Sequence, residues 1–227
     1  MPIRAVAFDV DGTLYRNVSM YIRSLPFALT HLRLVGAYRR IRRFVRKERP
    51  IADLQARERE LLAREMNLSE SEAARLIDFE IHELWESNLE RVPPFPHVRP
   101  AIVALHRQGL RIAASSDFPV ERKLERLGLA DLFDCTLWSE QSGYLKPHPE
   151  PFASLAECIG FPPAEILYVG NSYEYDVVGA KGVGMRAAHL RRIPVRNSIA
   201  DFSFSDYRQL PPWVAEVNRR ENPSQSE

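Results

Sequence analysis

No apolar run in this 227-residue chain approaches the roughly 18 residues needed to cross a bilayer, which argues against a transmembrane segment. An excess of charge of one sign is also lacking: 31 Lys and Arg stand against 30 Asp and Glu, a net of +1. That balance gives no global attraction to nucleic acid or anionic lipid, so a nucleic-acid partner is not expected. Cysteine is scarce. Only Cys135 and Cys158 occur, both among apolar residues, and no disulfide framework is expected. The chain opens on a strand-like segment rather than a charged stretch followed by an apolar one, so no signal peptide is expected and the expected location is cytoplasmic. No internal repeat is visible. Apolar side chains make up 45% of the residues, enough for one large core or for one core and a smaller companion.

The pattern divides into zones. Residues 3–8 read as a short buried strand that ends in the polar loop Asp9-Val10-Asp11-Gly12-Thr13. Residues 16–92 hold no convincing strand: Leu25, Leu29, Leu32, Val35, Tyr38, Ile41 and Val45 recur every three or four residues, as a helix requires. A second helical stretch covers about 51–66. Ser69 and Glu72 offer a capping box before a third. Prolines 93, 94, 96 and 100 then form a stiff connector. Beyond it a helix over 98–108 precedes apolar runs at 110–114, 133–137, 166–169 and 185–190, separated by helical segments. That alternation predicts an α/β fold with a parallel sheet covered on both faces. The first strand must join this sheet, which makes the helical zone an insertion. The expected domains are an α/β core of residues 1–15 and 94–217 and a helical unit of residues 16–93, with a frayed tail at 218–227.

Parallel sheets place ligands at the carboxyl ends of their strands. There the sequence sets Asp9 and Asp11, then Ser115, Ser116 and Asp117, then Lys146 before Pro147, and then Gly170, Asn171, Ser172 and Asp176. Carboxylates, a hydroxyl and an ammonium converging on one edge suit a phosphoryl group held beside a divalent cation. Taken singly these are common features of turns, loops and helix caps; their order and spacing together are specific. The four segments, with Gly179-Ala180 and Gly184-Met185 after the last, resemble the motifs of the haloacid dehalogenase-like hydrolase superfamily over almost the whole chain.

The resemblance implies a three-layer, Rossmann-like core with an inserted helical cap. It also implies a Mg²⁺-dependent phosphomonoesterase acting on a small phosphorylated metabolite. Asp9 would be the nucleophile that becomes an aspartyl-phosphate. Asp11 would serve as acid and then base, while Ser116 and Lys146 would hold and neutralise the phosphoryl oxygens. Thr13 and Asp117 are further candidates for the phosphate-binding set. Ser116 is chosen over Ser115 because Ser116-Asp117 better fits the family's hydroxyl-then-Asn pair. Mg²⁺ would take Asp9, the carbonyl of Asp11 and a fourth-motif residue, either Asn171 or Asp176.

One departure stands out. The fourth motif normally opens Gly-Asp, and here it opens Gly170-Asn171, which removes a negative charge from the metal set. Asn at this point also resembles the dehalogenase branch, but that branch lacks the second carboxylate that Asp11 supplies, and the Asn171-to-Asp176 spacing is longer than that branch shows. Two alternatives share the motifs: a phosphotransferase or sugar-phosphate mutase, and a weakly active or vestigial binding protein suggested by Asn171.

The cap carries the one strong charge anomaly. Residues 33–49 hold eight Lys and Arg against Glu48 alone, and residues 50–90 hold eleven Asp and Glu against four Arg, so +7 stands beside −7. Cross-helix pairing on a solvated face is the expected arrangement; a nucleic-acid surface, or a substrate or membrane-surface role, is the alternative. Tyr15, Tyr21, Phe27, Tyr38 and Trp85 are expected in the core, with Tyr15 and Tyr21 best placed to touch substrate. His97 and His148 are expected to be structural.

Overall fold

The computed structural model describes residues 1–49, 51–193 and 195–221. Six parallel strands form one sheet in the order β3-β2-β1-β4-β5-β6, comprising β1 Ala5–Asp9, β2 Arg111–Ser116, β3 Cys135–Trp138, β4 Ile166–Gly170, β5 Arg186–Leu190 and β6 Phe202–Phe204. β1 and β4 are buried along their whole length, which is why they read as unbroken apolar runs. Alternate side chains face opposite layers. Val6, Phe8, Ile112 and Leu167 pack against α6 Val98–Arg107, α7 Glu121–Arg126 and α10 Leu210–Glu221. Ala5, Ala7, Ala113 and Tyr168 pack against α8 Pro149–Ile159 and the segment ending in α9 Gly179–Gly182. The result is a three-layer α/β, Rossmann-like core.

Residues 17–89 are helical apart from short connections. They form α1 Asn17–Thr30, α2 Leu32–Val45, α3 Leu54–Met66 and α4 Glu70–Arg75, then π-helical turns Leu76–Glu83 that continue into α5 Leu84–Leu89. Ser69 and Glu72 form the capping box at the start of α4. The apolar repeat from Leu25 to Val45 is broken once, at His31 (φ −124°, ψ 36°). Leu34, Tyr38, Ile41, Leu54, Leu62 and Ile77 build a separate apolar cluster, which Leu145 of the α/β core also joins. Met20 and Leu89 instead join the cluster beneath the sheet. The two connectors to this helical zone run side by side: Tyr15 bridges Pro94, and the Phe95 amide donates to the Leu14 carbonyl at 2.8 Å.

Three expectations are corrected. Cys135 at the start of β3 and Cys158 near the end of α8 lie 6.2 Å apart at Cα and form a disulfide, a cross-link that a cytoplasmic location does not favour. Residues 218–221 belong to α10 rather than to a frayed tail. Asn218 bonds both the amide and the carbonyl of Ile3 (2.6 and 2.8 Å), and Glu221 pairs with the Met1 ammonium at 2.7 Å; residues 222–227 lie outside the described residues. Tyr21 points outward, 58% exposed, with its ring against Trp85. Among the described residues no helix is long and apolar enough to cross a membrane.

Candidate active site

β1 lies between β2 and β4, so the chain leaves the sheet in opposite directions on its two sides and opens a crevice at the carboxyl ends. Asp9 ends β1 and is paired in register with Ser115 of β2. The loop that follows turns at Gly12, whose φ is +92° and whose missing Cβ would lie 2.4 Å from the Asn17 amide and 2.5 Å from the Asn171 amide. Any side chain there would clash, so only glycine lets the first and fourth motifs meet.

Lys146 is the hub of one half of the site. Its Nζ donates to Asp9 Oδ1 at 2.7 Å, to Asp176 Oδ1 at 2.8 Å and to the Tyr168 hydroxyl at 3.1 Å. Asp176 Oδ2 accepts the Ser172 amide at 2.9 Å, so both its oxygens are engaged. Its carboxylate packs where a Cβ on Gly170 would sit, only 2.4 Å from its oxygen. Asp9 Oδ2 accepts the Thr13 hydroxyl at 2.7 Å, and that hydroxyl also lies 3.3 Å from Asn171 Oδ1. Asp9, Thr13, Lys146, Tyr168 and Asp176 are buried, while Asn171 and Ser172 are half-buried. Burial pushes the Asp9 carboxyl up to about 7; Lys146 pulls it down, while Asp176 and Asp11 push it back up. Burial disfavours the Lys146 ammonium, but Asp176 and Asp9 outweigh it and hold the group charged.

The other half is centred on Asp11. Its Oδ2 accepts Ser116 Oγ at 2.6 Å and Lys123 Nζ at 2.6 Å, and its Oδ1 accepts the Tyr15 hydroxyl. Burial raises this carboxyl, yet Lys123 and these hydrogen bonds outweigh it and hold Asp11 below the ordinary carboxylate range. Tyr15 is itself fixed by the Trp85 indole, which donates to its hydroxyl at 3.3 Å. Asp117 pairs with Arg46, the residue closing α2, and its other oxygen accepts the Lys146 amide at 3.4 Å. Burial pushes Asp117 up, but Arg46 and then Lys146 draw it down to about 2. Arg46 also donates to the Lys146 carbonyl and lies 4.2 Å over the Tyr175 ring.

The basic segment is therefore divided in its pairing. Arg40 meets Glu65 and Arg42 meets Glu58 within the helical zone, as cross-helix pairing requires. Arg42, Arg46 and Arg49 also reach across to Glu140, Asp117 and Glu150 of the α/β core. His148, which precedes α8, bonds the Arg46 carbonyl at 2.5 Å.

Sequence reasoning missed Lys123 and Arg46. Lys123 sits within Glu121-Arg122-Lys123-Leu124-Glu125-Arg126, which reads as a solvated helix, yet it is 2% exposed. A signal was present. The chain has 27 arginines and four lysines, namely Lys47, Lys123, Lys146 and Lys181, and two of those four are buried at this site. At both positions a compact ammonium, rather than a planar guanidinium, supplies the charge.

Two oxygen donors meet at the Thr13 hydroxyl, the Asp9 carboxylate and the Asn171 side-chain oxygen, and the Asp11 carbonyl in the same loop accepts only the Asn17 amide at 3.2 Å among the described residues. No cluster of three His, Cys, Asp or Glu side chains is found among the described residues; a carbonyl and an amide complete this set instead. Hard oxygen ligands, with a buried Asp9 whose negative charge is incompletely offset, fit a small divalent cation such as Mg²⁺.

A family model described as haloacid dehalogenase-like hydrolase matches residues 3–184. The chain belongs to this family and is a hydrolase. It is 28% identical over 95% of its length to a glyceraldehyde 3-phosphate phosphatase of Methanopyrus kandleri, covering 98% of that protein. It is 25% identical over 91% of its length to a phosphoglycolate phosphatase of Haemophilus influenzae, covering 96% of it. Among solved structures, a 2-haloacid dehalogenase from Pseudomonas syringae pv. Tomato superimposes with a TM-score of 0.69 at 25% identity, the match covering 94% of this chain and 99% of that one.

Proposed function

We propose that this hydrolase is a phosphomonoesterase acting on a small phosphate ester through a covalent intermediate on Asp9, with residues 16–93 as a cap that closes over the cleft. The observation that carries the reading is the pairing of two carboxylates with two buried lysines, Asp9 with Lys146 and Asp11 with Lys123. A halide leaving group needs no proton, whereas an alkoxide leaving group does; the second carboxylate, with its own cation, therefore favours phosphoryl transfer over the dehalogenation performed by the structural neighbour.

In this reading Asp9 attacks phosphorus, the bond from phosphorus to the ester oxygen breaks, and Asp11 in its acid form gives that oxygen a proton. Water then attacks the phosphorus of the aspartyl-phosphate while Asp11, now ionised, takes its proton, releasing phosphate and regenerating Asp9. The ionised Asp11 described above corresponds to this second half. Lys146 neutralises Asp9 and a phosphoryl oxygen together, Asp176 keeps Lys146 aimed, and Ser116 and Thr13 donate hydrogen bonds. Mg²⁺ would be held by Asp9, the Asp11 carbonyl and Asn171, where it would offset the repulsion between a carboxylate and a phosphate dianion. Three features support the cap reading: the separate apolar cluster, the paired connectors at Tyr15 and Pro94, and the ion pairs across the cleft. Closure would exclude water from the reaction.

The test is a panel of several dozen phosphate esters assayed with and without Mg²⁺. Steady phosphate release that needs Mg²⁺ supports the reading. Isomerised ester without free phosphate would show a mutase instead, and no turnover of any ester, a generic aryl phosphate included, would overturn it.

A further inference from the structure

Helix α1 presents an apolar face to solvent. Val18, Tyr21, Ile22, Leu25 and Leu29 recur at three- and four-residue intervals, and Leu32 continues the row past the break at His31; each of the six is between 52% and 67% exposed. At 100° per residue, the five on α1 fall within a sector about 100° wide. Scattered exposed apolar residues are ordinary on any protein, but a continuous row along a whole helix is not. The opposite side of α1 is already used: Met20 is fully buried, Ser24 accepts the Asn88 amide at 3.1 Å, and Phe27 packs on the cluster formed by α2 to α4. The outward row is therefore a second apolar face that the described fold does not cover.

We propose that this face is a self-association surface, covered by α1 of a second copy of the chain in an antiparallel, two-fold pairing. Three properties point to a like partner. First, five of the six are symmetric about Leu25: Val18 and Leu32 lie seven residues to either side, and Tyr21 and Leu29 lie four, while Ile22 falls opposite Ala28. An antiparallel copy thus sets Leu25 on Leu25, Val18 on Leu32 and Tyr21 on Leu29, the reciprocal contacts that an isologous interface demands. Second, the area is right. At the observed exposures the six side chains present roughly 600–700 Å², above the roughly 300–600 Å² of a monomer's usual largest patch and close to the ~800 Å² each partner buries in a standard interface. Third, α1 carries a single charged residue, Arg23, whose guanidinium donates to the Arg91 carbonyl of the same chain at 3.0 Å. Two copies therefore bring no like charges together along α1 itself, Arg16 and Arg33 lying at the two ends of the row. A helix built to lie in a membrane surface would instead carry a strongly basic polar face, whereas α1 has Arg23 alone. The inference does not depend on the phosphatase reading.

The test is the mass of the full chain in solution, by light scattering or sedimentation across micromolar concentrations, for the native protein and for Leu25→Glu and Leu25→Lys. The native chain is expected at twice 26.1 kDa. Each variant alone sets two like charges on the two-fold axis and is expected to weaken dimerisation by about a hundredfold or more. An equimolar mixture of the two is expected to recover the dimer, because Leu25 would face its own equivalent. Circular dichroism should be unchanged, since Leu25 is exposed in the single chain. A native monomer at every concentration would overturn the proposal, as would a dimer that Leu25→Glu leaves intact. Binding of the native chain to anionic vesicles that Leu25→Glu abolishes would also overturn it, by assigning the face to a membrane.

Discussion

The ammonium of Lys123 lies 2.6 Å from Asp11 Oδ2 and 3.2 Å from Ser116 Oγ, tying the acid-base candidate and the second-motif hydroxyl to one buried cation. Replacing Lys123 by Met removes the cation and leaves Asp11 half-buried without it. The expected result is a fall in kcat of about tenfold to a hundredfold with little change in KM. The pKa of Asp11 rises when Lys123 is lost, so the acid limb of the kcat profile moves to higher pH. Lys123→Arg keeps the charge and is expected to recover part of the rate. Unchanged kcat and an unchanged acid limb in Lys123→Met would show that Asp11 does not depend on this pairing.

Asp117 and Arg46 make the second prediction. A carboxyl held near 2 when folded, against 3.8 ordinarily, adds stability that is fully present above about pH 4 and lost as pH falls toward 2. A shift of just under two units corresponds to at most about 2–3 kcal/mol, shared with Lys146 and Arg42. Arg46→Met is therefore expected to unfold in acid at a higher pH than the native protein. Its stability deficit should be largest near neutrality and vanish near pH 2. Denaturant titrations at a series of pH values check this, and a deficit constant with pH would count against the ion pair.

Asn171→Asp restores the carboxylate that the family motif carries. A second negative ligand beside Asp9 should lower the Mg²⁺ concentration for half-maximal activity by about tenfold or more. If the requirement for Mg²⁺ is unchanged, Asn171 Oδ1 is not in the metal set.

The Cys135–Cys158 bridge closes a 23-residue separation that contains Lys146. Reduction, or Cys158→Ser, is expected to lower stability by about 2–4 kcal/mol, read as a shift in the denaturant midpoint. A midpoint that does not respond to reductant would show that the bridge is not formed in solution.

Much of this was legible because strands buried on both faces read as apolar runs. The residues after each run are those the sheet brings to one edge: Asp9, Asp11, Ser116, Lys146, Asn171 and Asp176. Three failures have physical causes. β6 is only Phe202–Phe204, an alternating edge strand too short to signal itself. The disulfide joins β3 to α8, a tertiary approach that spacing along the chain does not encode. Lys123 and Arg46 lie in helices whose charged sequences look solvated, and only the packing of α7 beneath the cleft and of α2 above it turns them inward. The +7 and −7 segments illustrate the same limit. Their cancellation was visible in the sequence, but not that Arg42, Arg46 and Arg49 would also be drawn to acids of the core.

The central claim is that Asp9 is the nucleophile in phosphoryl transfer. Rapid acid quench during turnover of a phosphate ester found in the substrate panel, followed by mass analysis of the peptide that contains Asp9, tests it most directly. The account predicts a phosphoryl group on Asp9 during turnover, with neither the adduct nor phosphate release in Asp9→Asn. Sustained phosphate release by Asp9→Asn, or turnover with no phosphoryl group on that peptide, would contradict it.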